Sequence, residues 1–257
     1  MTVQETSFAE SLPLVCPDLA CVMQRTLVPP ISFESARLEV HGRTIPRDRL
    51  GGDLSDLVAS DADTVAYVAD VSGHDVCAGV LMGMVKTAAR YGLMLGQSFP
   101  ELLDGINRVL PSVKDPSMYA TFAGLRLGGA NEMEYAIAGN MPLLHYRYCS
   151  KDVVRLSMEQ FPLGLFPGVR YSSRRVDCSA GDLFAMFTDG LVESQDLWEE
   201  DFGLERLEKV LCRCADQGLE NIYDAALGAV RGSRRAVDDQ TLMLVRVLES
   251  GGHSHAD

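Results

Sequence analysis

Residues 118–148 read MYATFAGLRLGGANEMEYAIAGNMPLLHYRY, and this stretch decides the fold. Three apolar runs rich in β-favouring residues, Tyr119–Leu127, Met133–Ala138 and Leu143–Tyr148, follow one another across short glycine- and asparagine-bearing turns. Downstream, Arg170–Val176 and Leu183–Phe187 read as further strands, and Thr241–Val247 as a last one. Helical periodicity is confined to pairs: Asp75–Leu95 with Phe99–Leu110 before the strand run, and Gly203–Ala215 with Leu219–Arg231 after it. Ser98 before Pro100 marks the start of the second of these helices. Long strand runs beside gathered helices predict an α+β sandwich of sheets covered by helices, and argue against an alternating βαβ chain.

Nearer the N-terminus, Asp18–Val28 places Leu19, Val22, Met23 and Leu27 on one helical face, with Asp18 as a candidate cap and Pro29-Pro30 as the stop. Phe33–His41 alternates like a strand, Gly51-Gly52 marks a tight turn, and Thr64–Ala69 is a short apolar run ending at Asp70. The expected organisation is a lead-in and linker-type helix over 1–45, a catalytic domain over 46–248 and a loose tail over 249–257.

The chain has 257 residues, 47% of them hydrophobic and 23% charged, enough for a substantial core. Its 36 acidic and 23 basic residues give a formal net charge of -13, which disfavours nucleic acid and anionic membrane as partners. The first residues have neither a basic n-region nor an apolar stretch, and no apolar run approaches the roughly 20 residues of a membrane span. Seven scattered cysteines without a CxxC pair fit reduced thiols and a cytoplasmic setting better than a disulfide framework or a zinc site.

Four acidic motifs stand at strand ends or in glycine turns beside them: Gly51-Gly52-Asp53 with Asp56 following, Asp70-Val71-Ser72-Gly73-His74, Thr188-Asp189-Gly190, and Asp238-Asp239-Gln240-Thr241. Carboxylates following runs such as VAYVA and FAMF cannot lie far from a core, where an unpaired charge is costly. Several of them at one sheet edge repel one another unless divalent cations reverse the sign. An all-oxygen aspartate set suits Mg²⁺ or Mn²⁺ and suits zinc or copper poorly. Each motif alone is a common turn; the signal is their joint occurrence.

Together, GGDLSD, VADVSGHDVCAG, MYATF, YAIAGNMPLL, FPLGLF, GDLFAMFTDGLVES and DDQTLMLV resemble the successive motifs of the bacterial PPM-type (protein phosphatase 2C-like) serine phosphatases, in the branch of stage II sporulation protein E and RsbU. The likeness runs from about Gly51 to Val247. It implies a sandwich of two antiparallel sheets flanked by helices (αββα) and hydrolysis of phosphoserine or phosphothreonine in a protein. Asp53, Asp70, Asp189 and Asp238 then match metal ligands and catalytic residues, with Asp70 bridging two Mn²⁺ or Mg²⁺ ions and Val71 offering its backbone carbonyl. Asp239 matches a supporting position, or a ligand of a third ion. The implied substrate is a STAS-type anti-anti-sigma factor in a partner-switching circuit. The helix over about Asp75–Leu95 matches a regulatory switch, and the DLACVMQRTLVPP segment resembles the helix that precedes this domain and links it to a sensor. By its own apolar face, the Asp18–Val28 helix is also a candidate for pairing with a copy of itself.

The pattern also departs from the family. His74 is followed by Asp75 where glycine is common, Asn140 replaces a family histidine after Ala138-Gly139, and Leu54-Ser55 follow the GGD where an aromatic is frequent. None of these removes a ligand. A catalytically inactive module that only binds a signalling partner is the alternative, and the complete aspartate set counts against it. A nucleotide or sugar-phosphate hydrolase lacks any base-binding motif.

Other residues carry weaker readings. His74 fits a general acid, but a histidine in such a turn more often caps the next helix. Arg43, Arg47 and Arg49 fit a phosphate clamp, though a solvated loop is the plainer reading. Met82, Met84 and Met94 read as core before partner surface. Glu193 and Ser194 read as caps or site supports, His253 and His255 as tail residues, and Asp61, Asp63 and Glu199-Glu200-Asp201 as solvated loop charges.

Overall fold

The computed structural model describes residues 17–60, 63–73, 76–127, 132–195, 201–230 and 238–249. Eleven named strands make two sheets in which every pair is antiparallel. The six-stranded sheet joins β1 (Ile31–Glu34), β2 (Leu38–Ile45), β11 (Gln240–Val247), β10 (Leu183–Phe187), β7 (Leu143–Arg147) and β8 (Asp152–Leu156), in that spatial order. The five-stranded sheet runs β3 (Asp53–Ala59), β4 (Thr64–Val71), β5 (Ala120–Leu127), β6 (Glu132–Ala138) and β9 (Arg174–Asp177).

Period-two alternation explains the layers. In β4, Val65, Tyr67, Ala69 and Val71 face α2 (Val76–Met94) and α3 (Phe99–Val109), while Ala66 and Val68 face the other sheet. In β10, Leu183, Ala185 and Phe187 face α5 (Leu204–Cys214) and α6 (Leu219–Val230), while Phe184 and Met186 meet Val68 and Met243 between the sheets. Strands buried on both faces read as continuous apolar runs, and each fully buried large side chain contributes about 1.5–3 kcal/mol. The result is the expected αββα sandwich.

Local signals set the helices. Ser98 caps α3 in a reciprocal box with Glu101, and Pro100 occupies its first turn. Asp18, expected as a cap, lies inside α1 (Pro17–Leu27). The α1 face bearing Leu19, Val22 and Met23 is exposed, while Gln24 and Val28 are buried. Of the three methionines on α2, only Met82 is in the core; Met84 and Met94 are exposed.

One boundary needs correction. The segment expected as lead-in includes β1 and β2, and β2 pairs along its whole length with β11, from Leu38↔Val247 to Ile45↔Gln240. The sandwich therefore starts at Ile31, before residue 46. The single strand expected over Phe33–His41 is a hairpin folded at Ser35, whose hydroxyl accepts the backbone N–H groups of Arg37 and Leu38.

Candidate metal and phosphoryl-transfer site

Antiparallel pairing of β3 with β4 puts Asp53 opposite Asp70 in register, at the end of the five-stranded sheet. The short helix α4 (Asp189–Val192) begins where β10 stops, and β11 begins just after Asp238-Asp239. All four acidic motifs therefore arrive at one end of the sandwich. The backbone packs closely there. A Cβ on Gly52 would lie 2.3 Å from the Val71 carbonyl oxygen, and one on Gly190 would lie 2.1 Å from the Asp239 carbonyl oxygen. Only glycine permits that approach.

Asp53 is 2% exposed. Its Oδ2 accepts the Thr188 hydroxyl at 2.7 Å and the Thr241 hydroxyl at 2.6 Å, so the six-stranded sheet holds a carboxylate of the other sheet. The Thr188 oxygen also accepts the Thr241 N–H at 3.1 Å. Burial, and then the neighbouring Asp70 charge, push the Asp53 carboxyl well above the usual carboxylate range. Burial followed by Asp189, Asp238 and Asp239 raises Asp70 to about 7. Asp189 is raised by burial and by Asp238. These are like charges forced together, without a protein cation among the causes acting on Asp70.

Burial raises the Asp239 carboxyl too, but backbone N–H groups oppose the shift. Asp239 is 3% exposed, and its carboxylate accepts three backbone N–H groups: Arg47 at 2.6 Å on Oδ1, and Gly52 at 2.8 Å and Asp53 at 3.3 Å on Oδ2. Its oxygens clamp the Gly51–Asp53 turn. Asp238 is exposed at the rim and accepts the Asp239 N–H at 2.8 Å. α1 also reaches this turn, because Gln24 Oε1 accepts the Gly51 N–H at 3.0 Å.

Sequence reasoning missed Thr188, Thr241 and Gln24. The two threonines sit inside the TDG and DDQT motifs, one residue from Asp189 and two from Asp239, and a hydroxyl beside each acidic turn was the available signal. Glu193 does lie near the site, since burial and the Asp189 charge raise its carboxyl. Ser194 is a support: it donates to the Gly190 carbonyl at 2.7 Å and accepts from Gln240 at 2.6 Å. Asp56, which follows the GGD turn, points to the helices and pairs with Lys86 and Arg90. Arg43 is drawn away to Glu220 and the Tyr223 ring. His74, Asp75, Asp61, Glu199, Glu200, His253 and His255 lie outside the described residues.

The donor set fits a hard divalent cation: aspartate oxygens and one backbone carbonyl, clustered and under-compensated. Among the described residues no three acidic, histidine or cysteine side chains are yet drawn in closely enough to hold an ion as they stand. Mutual repulsion of the carboxylates acts in that direction.

A family model for stage II sporulation protein E (SpoIIE) matches residues 60–248. The phosphoserine phosphatase RsbU of Bacillus subtilis (strain 168) is 26% identical over 237 residues, covering 89% of this chain and 69% of that protein. Three solved structures share the fold. One contains the RsbU and RsbW domains of a Mycobacterium tuberculosis protein, with a TM-score of 0.74 at 23% identity over 86% of this chain and 62% of that one, so this chain spans less than two thirds of it. The SiaA PP2C domain of Pseudomonas aeruginosa superposes with a TM-score of 0.77 at 18% identity, over 90% of this chain and 95% of that one. RsbX, solved in complex with magnesium, gives 0.68 at 17% identity over 85% and 99%. With the sandwich, the ordered acidic motifs and the family match in agreement, the chain belongs to the SpoIIE family, in the SpoIIE/RsbU branch of the bacterial PPM-type phosphatases.

Proposed function

We propose that this protein is a divalent-metal-dependent serine/threonine phosphatase acting on a phosphorylated regulatory protein, a STAS-type anti-anti-sigma factor in a partner-switching pathway. The observation that carries the reading is the convergence of Asp70 with Asp189, Asp238 and Asp239, from both sheets, which together with burial, the larger cause, raises Asp70 to about 7. Asp53, Asp70, Asp189 and Asp238, with the Val71 carbonyl, are the groups that would hold two Mn²⁺ or Mg²⁺ ions, and a third would fall near Asp239. When bound, such ions lower the pKa of water and offset charge on a phosphoryl group during in-line displacement.

The protein's own contribution is placement. Thr188 and Thr241 fix the Asp53 rotamer, so its second oxygen is left for a cation. Asp239 and Gln24 hold the Gly51–Asp53 turn against β4, which keeps Asp53 opposite Asp70. Gly52 and Gly190 let the backbone of each motif approach within contact of the next.

The test is hydrolysis of p-nitrophenyl phosphate and of a serine-phosphorylated STAS protein, with Mn²⁺ added or chelated. Cation-dependent turnover that collapses in Asp70→Asn is the expected result; unchanged turnover in that variant defeats the proposal. The exposed Leu19, Val22 and Met23 face of α1 fits a second copy of the chain, so a dimer mass by light scattering that reverts to monomer in Val22→Glu is expected. Among the described residues no helix is long and apolar enough to cross a membrane.

A further inference from the structure

Outside the carboxylate edge, the loop after β8 stands out. Phe161, Leu165 and Phe166 are 55%, 38% and 46% exposed, and the two phenylalanine rings meet edge-to-face at 4.8 Å. Val109 and Val113, at the end of α3 and just beyond it, are 55% and 44% exposed. The loop is firmly seated. Asn107, itself 2% exposed, accepts the Gly164 N–H at 2.7 Å and donates to the Phe166 carbonyl at 3.2 Å. Asp104 accepts the Tyr171 N–H at 2.9 Å and pairs with Arg170. A fully buried asparagine thus anchors a loop whose large aromatics remain in water, an arrangement that displays them. Exposed apolar side chains gathered on one firmly held loop mark an interaction surface.

We propose that this patch docks the phosphoprotein substrate beside the site, an inference that rests on the phosphatase reading above. Two observations select that occupant. First, the loop is seated one strand from the catalytic edge: Ala120 pairs on one side with Val71, next to Asp70, and on the other exchanges hydrogen bonds with Leu163 at 2.7 and 3.0 Å, in the centre of the loop. A protein whose phosphoserine entered the site would lie across it. Second, its border is net basic in a chain of net charge -13: Arg108, Arg170 and Lys114 flank the apolar centre against one carboxylate, Asp104, which pairs with Arg170, and Arg108, Arg170 and Asp104 line an adjoining cleft of ≈ 350 Å³. An apolar centre with a basic rim complements a partner that presents a hydrophobic contact next to acidic or phosphorylated residues.

The experiment compares two substrates of the full chain loaded with Mn²⁺: p-nitrophenyl phosphate, which reaches only the site, and the serine-phosphorylated STAS protein, which must also dock. In Phe161→Ser/Phe166→Ser, kcat/KM for the phosphoprotein is expected to fall about tenfold or more, through KM, with p-nitrophenyl phosphate turnover and thermal midpoint held within about twofold and two degrees. Phe166→Leu restores docking, and Arg108→Glu weakens it in a salt-dependent way. Equal loss on both substrates, or no loss on either, overturns the docking surface while leaving the phosphatase intact. A change in oligomer mass in solution caused by the same substitutions assigns the face to a second copy and overturns it too. Wild-type protein that hydrolyses only p-nitrophenyl phosphate also removes the docking surface, and wild-type protein inert to both removes the phosphatase reading itself.

Discussion

Asp53 and Asp56 lie three residues apart on one strand, both nearly fully buried, and the structure treats them in opposite ways. Asp56 faces the helices. Burial alone would raise its carboxyl, but a bidentate Arg90 at 2.7 Å on each oxygen, Lys86 at 3.1 Å and the Tyr67 hydroxyl at 2.8 Å outweigh that, and the net shift is downward. Asp53 faces the gap between the sheets, where it meets two hydroxyls and another carboxylate, and its net shift is strongly upward. The difference separates a carboxylate whose charge the fold itself satisfies from one whose charge is left for something else. Lys86 extends the first arrangement, because its Nζ also donates to the Leu27 carbonyl at 2.6 Å and so ties α1 to α2 and β3.

The largest effect that tests this contrast is on activity. Asp70→Asn should reduce phosphatase turnover by about a hundredfold or more, since losing a shared metal ligand removes several kcal/mol of charge stabilisation. In the metal-free protein the same change should raise the thermal midpoint, because it relieves repulsion; a fall would break the contrast. Asp56→Asn should do the reverse to stability, leaving Lys86 and Arg90 uncompensated at a cost of about 3 kcal/mol, or roughly 10 °C in a chain of this size, as read by thermal denaturation.

A pH series sharpens the point. Asp70 has its carboxyl raised to about 7 from an unfolded value of 3.8, so the folded state binds the extra proton between those limits. Stability of the chelated protein should therefore fall as pH rises from about 4 to 7, and added Mn²⁺ should flatten that slope. A smaller change is expected from Gln24→Ala. It deprives the Gly51 N–H of its acceptor at a cost of about 1 kcal/mol, measurable as a midpoint shift of a few degrees.

What the sequence made legible follows burial. The strands read with good bounds, β4, β5, β6, β7, β10 and β11, are interior ones, apolar on both faces. The strands that the sequence misses or misplaces are the four sheet edges and the one interior strand, β2, that directly follows an edge. The Ser35 turn that parts β1 from β2 does not break the alternation, β3 reads only as a turn, β8 gives no signal, and β9 starts at Arg174 and not Arg170. An edge strand carries polar residues for solvent or, in β3, two aspartates with tertiary partners, and its own periodicity is lost. The short helix α4 went unread because four residues hold too little pattern. The site followed the same division. The acidic residues announce themselves through strand context, whereas the hydroxyls and amides that hold Asp53 and Asp239 come from segments about 130 to 190 residues away, and no local spacing encodes that meeting.

The clamp of Asp239 on the Gly51–Asp53 turn has a consequence for how the protein is made. The turn is translated 187 residues before its clamp, which directly precedes the strand that fills the middle of the six-stranded sheet between β2 and β10. A nascent chain that has not yet reached Asp238 therefore has neither that carboxylate nor a clamped Gly51–Asp53 turn. Chains cut short of this point should be unable to assemble the acidic cluster, and should not compete with longer ones for cations.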